Sequence, residues 1–85
     1  MGNKDWTGIP GTEYDVLKKL KRTNKRWKKQ PIYEDKKNYY HRDPLHSEVE
    51  VYDKHGDHVG VMTPEGEWHP KKGRDPKKNI RKELR

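Results

Sequence analysis

Very little of this chain can build a core. Of 85 residues, twelve are Leu, Ile or Val and none is Phe. Charged residues make up 41% and hydrophobic ones 26%, with a net charge of +7. That balance lies where disorder competes with folding. A core so thin supplies little burial energy. The composition therefore predicts marginal stability alone, or stabilisation by a partner that binds the folded form. Cysteine is absent, so disulfides and thiolate zinc sites cannot help. The length predicts one domain. No stretch is long and apolar enough to span a membrane. The opening residues Met1-Gly2-Asn3-Lys4 carry no hydrophobic signal core.

The charge is unevenly spread. Residues 1–40 hold 11 Lys and Arg against 5 Asp and Glu, residues 41–67 hold 2 against 7, and residues 68–85 hold 8 against 2. Two basic arms thus flank an acidic middle. A pure phosphate-binding module gains nothing from such a middle, because carboxylates repel the ligand. A nuclease that works through carboxylates needs one. An ordinary hairpin with a solvated acidic face gives the same charge profile.

Residues 1–11 are rich in Gly and Pro and read as an irregular lead-in. Thr12 is a fitting N-cap with Asp15 as its capping-box partner, and Val16, Leu17 and Leu20 follow helical spacing. Lys18, Lys19, Lys21 and Arg22 suit a helix C-terminus. The spacing predicts a short helix over 12–22, which must dock because it is too short to stand alone. Strands are expected near 31–34 and over 38–42, with a hairpin of 46–53 and 57–62. A three-residue loop would pair Val51 with Val59, Val49 with Val61 and Tyr52 with His58. Thr63-Pro64-Glu65-Gly66 reads as a turn. Trp68 is a candidate start for another strand, and 79–84 reads as a last strand or a frayed turn. The fold class expected is α+β, mainly β: a small twisted antiparallel sheet with a short N-terminal helix.

The block Asp43-Pro44-Leu45-His46-Ser47-Glu48-Val49-Glu50 carries the chemistry. In an extended strand His46, Glu48 and Glu50 share one face, with Val49 and Val51 on the other. His58 falls on the same face one strand over. An imidazole and two carboxylates are the parts of general acid–base catalysis. Neighbouring carboxylates raise one another's pKa, which tunes one as a base. Alternating polar residues also serve simply as the wet face of an antiparallel strand. The five histidines (His41, His46, His55, His58 and His69) show no His-x3-His pair, so no metal site is expected. The basic stretch Lys18 to Lys37 carries Trp27 and Tyr33, which could stack on bases or fill the core. In a chain so poor in aliphatics, the core is the expectation for at least one of them.

The tail Asp75-Pro76-Lys77-Lys78-Asn79-Ile80-Arg81-Lys82 resembles the C-terminal end of the ribonuclease domain of ribosome-inactivating colicins and cloacin, which reads Asp-Pro-Lys-Arg-Asn-Ile-Lys-Lys. The family's Asp-x-x-His-x-Glu-x-Glu pattern is reproduced by Asp43, His46, Glu48 and Glu50. Its Gly-x-His-x-Gly segment matches Gly56-Asp57-His58-Val59-Gly60. Tyr40 falls where the family has a tyrosine, and Lys25-Arg26-Trp27 resembles its Lys-Arg-Trp. The likeness spans about residues 25–82, leaving 1–24 as a lead-in with its short helix and 25–85 as the ribonuclease-like unit. This chain is longer between Trp27 and Asp43 than the family pattern.

The resemblance implies an endoribonuclease that makes one cut in 16S ribosomal RNA at the decoding site and stops translation, with no cofactor. It carries catalytic roles to Asp43, His46 and Glu50. The family's catalytic Arg falls at Lys78, which keeps the charge but loses the bidentate fork. Arg74 or Arg81 could take that role instead. Glu48, His58 and Tyr40 would support the site. Lys25, Arg26, Lys72, Arg74, Lys77, Arg81 and Lys82 would hold RNA. Such domains form the C-termini of bacteriocins and contact-dependent toxins. They are secreted or delivered from the cell surface within a larger protein, and act in the target cytoplasm. An acidic immunity protein protects the producer in a 1:1 complex, which fits the charge of +7. Two other readings remain at this stage: a nuclease of the same build that cuts transfer RNA or another RNA, and a non-enzymatic RNA- or ribosome-binding module.

Overall fold

A computed structural model describes residues 4–85. Five antiparallel strands follow one another across a single sheet in chain order. They are β1 (Lys21–Trp27), β2 (Gln30–Glu34), β3 (Asn38–Asp43), β4 (Glu48–Asp53) and β5 (His58–Met62). The protein is mainly β, as the patterning predicts. Among the described residues no helix is long and apolar enough to cross a membrane.

The chain solves its aliphatic shortage by covering both faces of the sheet thinly. On one face Val49, Val51, Tyr33 and Tyr40 pack against Trp6, Tyr14 and Leu17 from the N-terminal segment. On the other, Ile32 and Tyr52 pack against Ile80 from the C-terminal tail, flanked by Trp27, Tyr39 and Leu84. Aromatic rings thus supply much of the burial that aliphatic side chains would normally give. Tyr33 is one of the core residues, as the shortage requires.

The N-terminal helix is shorter than the spacing predicts. A 3-10 turn at Gly11–Glu13 precedes one α-helical turn, α1 (Asp15–Lys18). Its N-cap is Tyr14 and not Thr12, without a side-chain cap bond. The chain turns at Leu20 and joins the sheet, because strand pairing with β2 outweighs the weak helix preference of a polar stretch. β1 has no aliphatic residue, and only the half-burial of Thr23, Lys25 and Trp27 marks its inner side. The division at residue 24 falls inside this strand.

The β4–β5 hairpin keeps the expected pair Tyr52–His58 but then slips by one residue. Val51 lies opposite Gly60, Glu50 opposite Val61 and Val49 opposite Met62. The slip is a bulge that lets Val59 reach the N-terminal core while His58 still faces the tail. A Cβ at Gly60 would lie 3.1 Å from the Trp68 ring, a tight approach that the ring would have to yield to. Trp68 makes only an isolated bridge with Met62, and Asn79 one with Asp57, so neither starts a full strand. The chain closes with a 3-10 turn at Lys82–Leu84.

Candidate active site

The face covered by the tail carries the polar cluster. β3 and β4 pair His41 with Glu50 and Asp43 with Glu48. The tail crosses this face and is anchored by fully buried Ile80. A cavity of 340 Å³ opens between tail and sheet, lined by the polar Asp43, His46, Glu50 and Lys78 and by the aromatic Trp27 and Tyr52.

His46 reaches the cavity by a different route from strand alternation. β4 begins at Glu48, and His46 sits in the preceding turn, where Ser47 has a φ of 53°. The Asp43 carboxylate builds this turn. Its Oδ1 accepts the N–H groups of Leu45 at 3.1 Å and His46 at 3.3 Å, and its Oδ2 bonds His46 Nδ1 at 2.7 Å. Burial tends to raise the Asp43 pKa, but the bonds from His46 outweigh it and hold the carboxyl below its usual range. An ionised Asp43 fixes the proton on His46 Nδ1 and leaves Nε2 for other chemistry.

Glu50 is the buried carboxylate, 5% exposed. His58 Nε2–H donates to its Oε1 at 2.7 Å. The tautomer follows from the other nitrogen, because His58 Nδ1 accepts the N–H of Asp75 at 2.8 Å. Lys78 Nζ stands 3.5 Å from the same Oε1. Burial pushes the Glu50 carboxyl up, yet the His58 bond and the Lys78 charge prevail and keep it below the ordinary value. This reverses the expectation of two carboxylates raising each other. Glu48 turns its oxygens to Lys72 Nζ at 2.8 Å and His69 Nε2 at 3.3 Å. Each carboxylate thus has its own cations or N–H donors.

Asp43, His46 and Glu48 place potential ligand atoms within 4.8 Å of one another. The carboxylates among them already serve internal bonds, Asp43 to His46 and Glu48 to Lys72 and His69.

The other residues singled out in the sequence divide between this cluster and the rest of the surface. Lys77 lines the 340 Å³ cavity, while Lys72 and His58 line an adjoining one of 220 Å³. Tyr40 does not join them. It points to the opposite face, where its hydroxyl donates to Asp35 Oδ2 at 2.6 Å, because Tyr39, His41 and Asp43 are the β3 residues that alternate onto the site side. Arg81 pairs with Asp57, away from Glu50. Arg74 is exposed on the tail and lines none of these cavities. Lys25 and Arg26 lie on edge strand β1, and Lys82 in the final turn.

Sequence reasoning missed the support beneath the site. His41 is buried and stacks on Trp27, with centroids 4.5 Å apart and planes 9° from parallel. Its Nδ1–H donates to the Arg42 carbonyl, so its Nε2 accepts the Tyr52 hydroxyl at 2.9 Å. Burial lowers the His41 pKa and keeps the ring neutral. The clue was period two, which sets His41 directly across from Glu50.

Comparison with protein-family models, curated proteins and solved structures finds no match to this chain.

Proposed function

We propose that this protein is an endoribonuclease that cleaves by attack of the ribose 2′-hydroxyl on the neighbouring phosphate, and that it acts as a bacterial toxin on 16S ribosomal RNA. The observation that carries the reading is the convergence of an Asp43–His46 pair and an ionised Glu50 beside Lys78 on one cavity.

Glu50 takes the proton from the 2′-hydroxyl. The freed oxygen bonds to phosphorus, and the bond from phosphorus to the 5′ oxygen breaks. His46, held by Asp43, gives that oxygen a proton from Nε2. Lys78 faces the charge gathering on the phosphate oxygens. The products are a 2′,3′-cyclic phosphate and a 5′-hydroxyl. The low pKa of Glu50 keeps it ionised at neutral pH, as a base must be. An ionised Asp43 holds the His46 ring through Nδ1 and leaves Nε2 to face the departing oxygen.

The basic tail and β1 suit a polyanionic substrate. An acidic immunity protein is the partner that the charge favours, and delivery within a larger secreted or surface protein is the route that the likeness to colicin domains suggests. The test is incubation with RNA in a chelating buffer, followed by end analysis. Cyclic phosphate ends that vanish in His46→Ala and Glu50→Gln support the reading, and cleavage that survives both substitutions refutes it.

A further inference from the structure

The cavity between tail and sheet has a second character that the acid–base cluster leaves unused. Leu45 is 84% exposed at its rim, in a chain with only four leucines. It adjoins His46, and its backbone is pinned by Asp43. Trp27 forms a fixed wall, since His41 stacks on it and the Lys28 ammonium lies 4.6 Å from its ring centroid. Tyr52 spends its hydroxyl on His41 and so offers the cavity its ring. Asn79 Oδ1 accepts the N–H of Arg81 at 3.2 Å, which leaves its amide N–H groups to donate. Lys77 and Lys78 supply positive charge to the same space.

We propose that the apolar end of this cavity is a subsite for one unstacked nucleobase, with Leu45 covering the base. The inference rests on the ribonuclease reading and names its substrate class: RNA in which the nucleotide beside the cut is unpaired or extruded. A volume of 340 Å³ is near the lower end of small-ligand pockets, about 300–1,000 Å³, which suits one nucleotide. Charge complementarity orients it, with phosphate toward Lys78 and base toward Leu45 and Trp27. RNA is commonly read in this way, by splayed bases held against apolar or aromatic side chains and hydrogen-bonded at an edge. Asn79 supplies the edge donor. The exposed leucine, unfavourable in the free protein, becomes buried when the base enters.

The experiment titrates the whole chain with the four nucleoside 3′-monophosphates and, as the baseless probe, ribose 5-phosphate, following the Leu45 methyl signals by NMR. Nucleotides are expected to bind at least about tenfold tighter than ribose 5-phosphate, the scale of a small apolar contact. Leu45→Ala should remove that margin and leave ribose 5-phosphate binding unchanged, while Leu45→Met should retain it. In RNA cleavage, Leu45→Ala should raise KM with little change in kcat. Equal binding of both probes, or a margin that survives Leu45→Ala, overturns the subsite. If the unaltered chain cuts RNA and Leu45→Ala cuts it with the same KM and kcat, the subsite falls and the ribonuclease reading stands. If the unaltered chain cuts no RNA, both fall.

Discussion

His58 holds Glu50 and the tail together. Its Nε2–H meets Glu50 Oε1 at 2.7 Å, its Nδ1 takes the Asp75 N–H at 2.8 Å, and its backbone N–H reaches the Lys78 carbonyl at 3.3 Å. One buried ring therefore sets both the carboxylate and the segment that delivers Lys78. Replacing it should disturb chemistry as well as stability. His58→Ala removes a bond to a charged group, worth about 1.5–3 kcal/mol. It also removes the strongest influence lowering the Glu50 pKa. Glu50 must be ionised to act as base, so the acid limb of the cleavage profile should move to higher pH. An unmoved limb in a folded variant contradicts the assigned role.

His46 is exposed and contributes little to the core, so His46→Ala should fold normally and lose cleavage by about 10²-fold or more. Circular dichroism and a cleavage assay on the same sample separate the two effects. Unchanged cleavage removes His46 from the mechanism.

Lys78 stands where the resemblance places an arginine. A point charge facing the phosphate predicts that Lys78→Arg keeps cleavage and Lys78→Ala loses about 10²-fold or more. Arg74→Ala and Arg81→Ala should weaken RNA binding without such a loss in kcat. A large kcat loss in Arg81→Ala would transfer the role to that residue.

Ile80 is the fully buried residue that anchors the tail on the sheet. Ile80→Ala should cost about 2–5 kcal/mol of stability, measured by urea denaturation. Because Ile80 lies two residues from Lys78, cleavage should fall further than the unfolded fraction explains. Activity that simply tracks the folded fraction would show that the tail is held some other way.

Acid should destabilise the fold in two stages. His41 has a folded pKa below its ordinary 6.5, so the unfolded chain binds the extra proton and stability falls as pH drops below about 6.5. Asp43 and Glu50 have lowered carboxyl pKa values, so their contribution is present above the ordinary 3.8 and 4.5 and is lost as pH falls further. Melting temperatures taken from pH 7.5 to 5.5 should decline, and His41→Gln should flatten that decline. An equal slope in the variant excludes His41 as its source.

The strands β2 to β5 were legible because aromatic and β-branched residues concentrate there. β1 was not, since a run of Lys, Arg, Thr and Asn has no hydrophobic period and is fixed only by pairing with β2. The hairpin register was half legible. Tyr52 and His58 pair as the loop length demands, but a bulge at Val59 and Gly60 serves both faces, and no local pattern announces it. For the site, spacing put His46, Glu48 and Glu50 on one strand face, whereas His46 gets there through a turn built by Asp43. The tail's docking onto the sheet is a long-range event. Only the likeness of Asp75 to Lys82 to the colicin tail suggested that Lys78 belongs near Glu50.

The most direct test incubates intact bacterial ribosomes with the purified protein in the presence of chelator, then sizes the RNA and maps its ends. The expected result is a single short fragment from the 3′ end of 16S ribosomal RNA, with a cyclic phosphate on the upstream side of the cut. Intact 16S ribosomal RNA, or a cut that persists when both His46→Ala and Glu50→Gln are present, would contradict it.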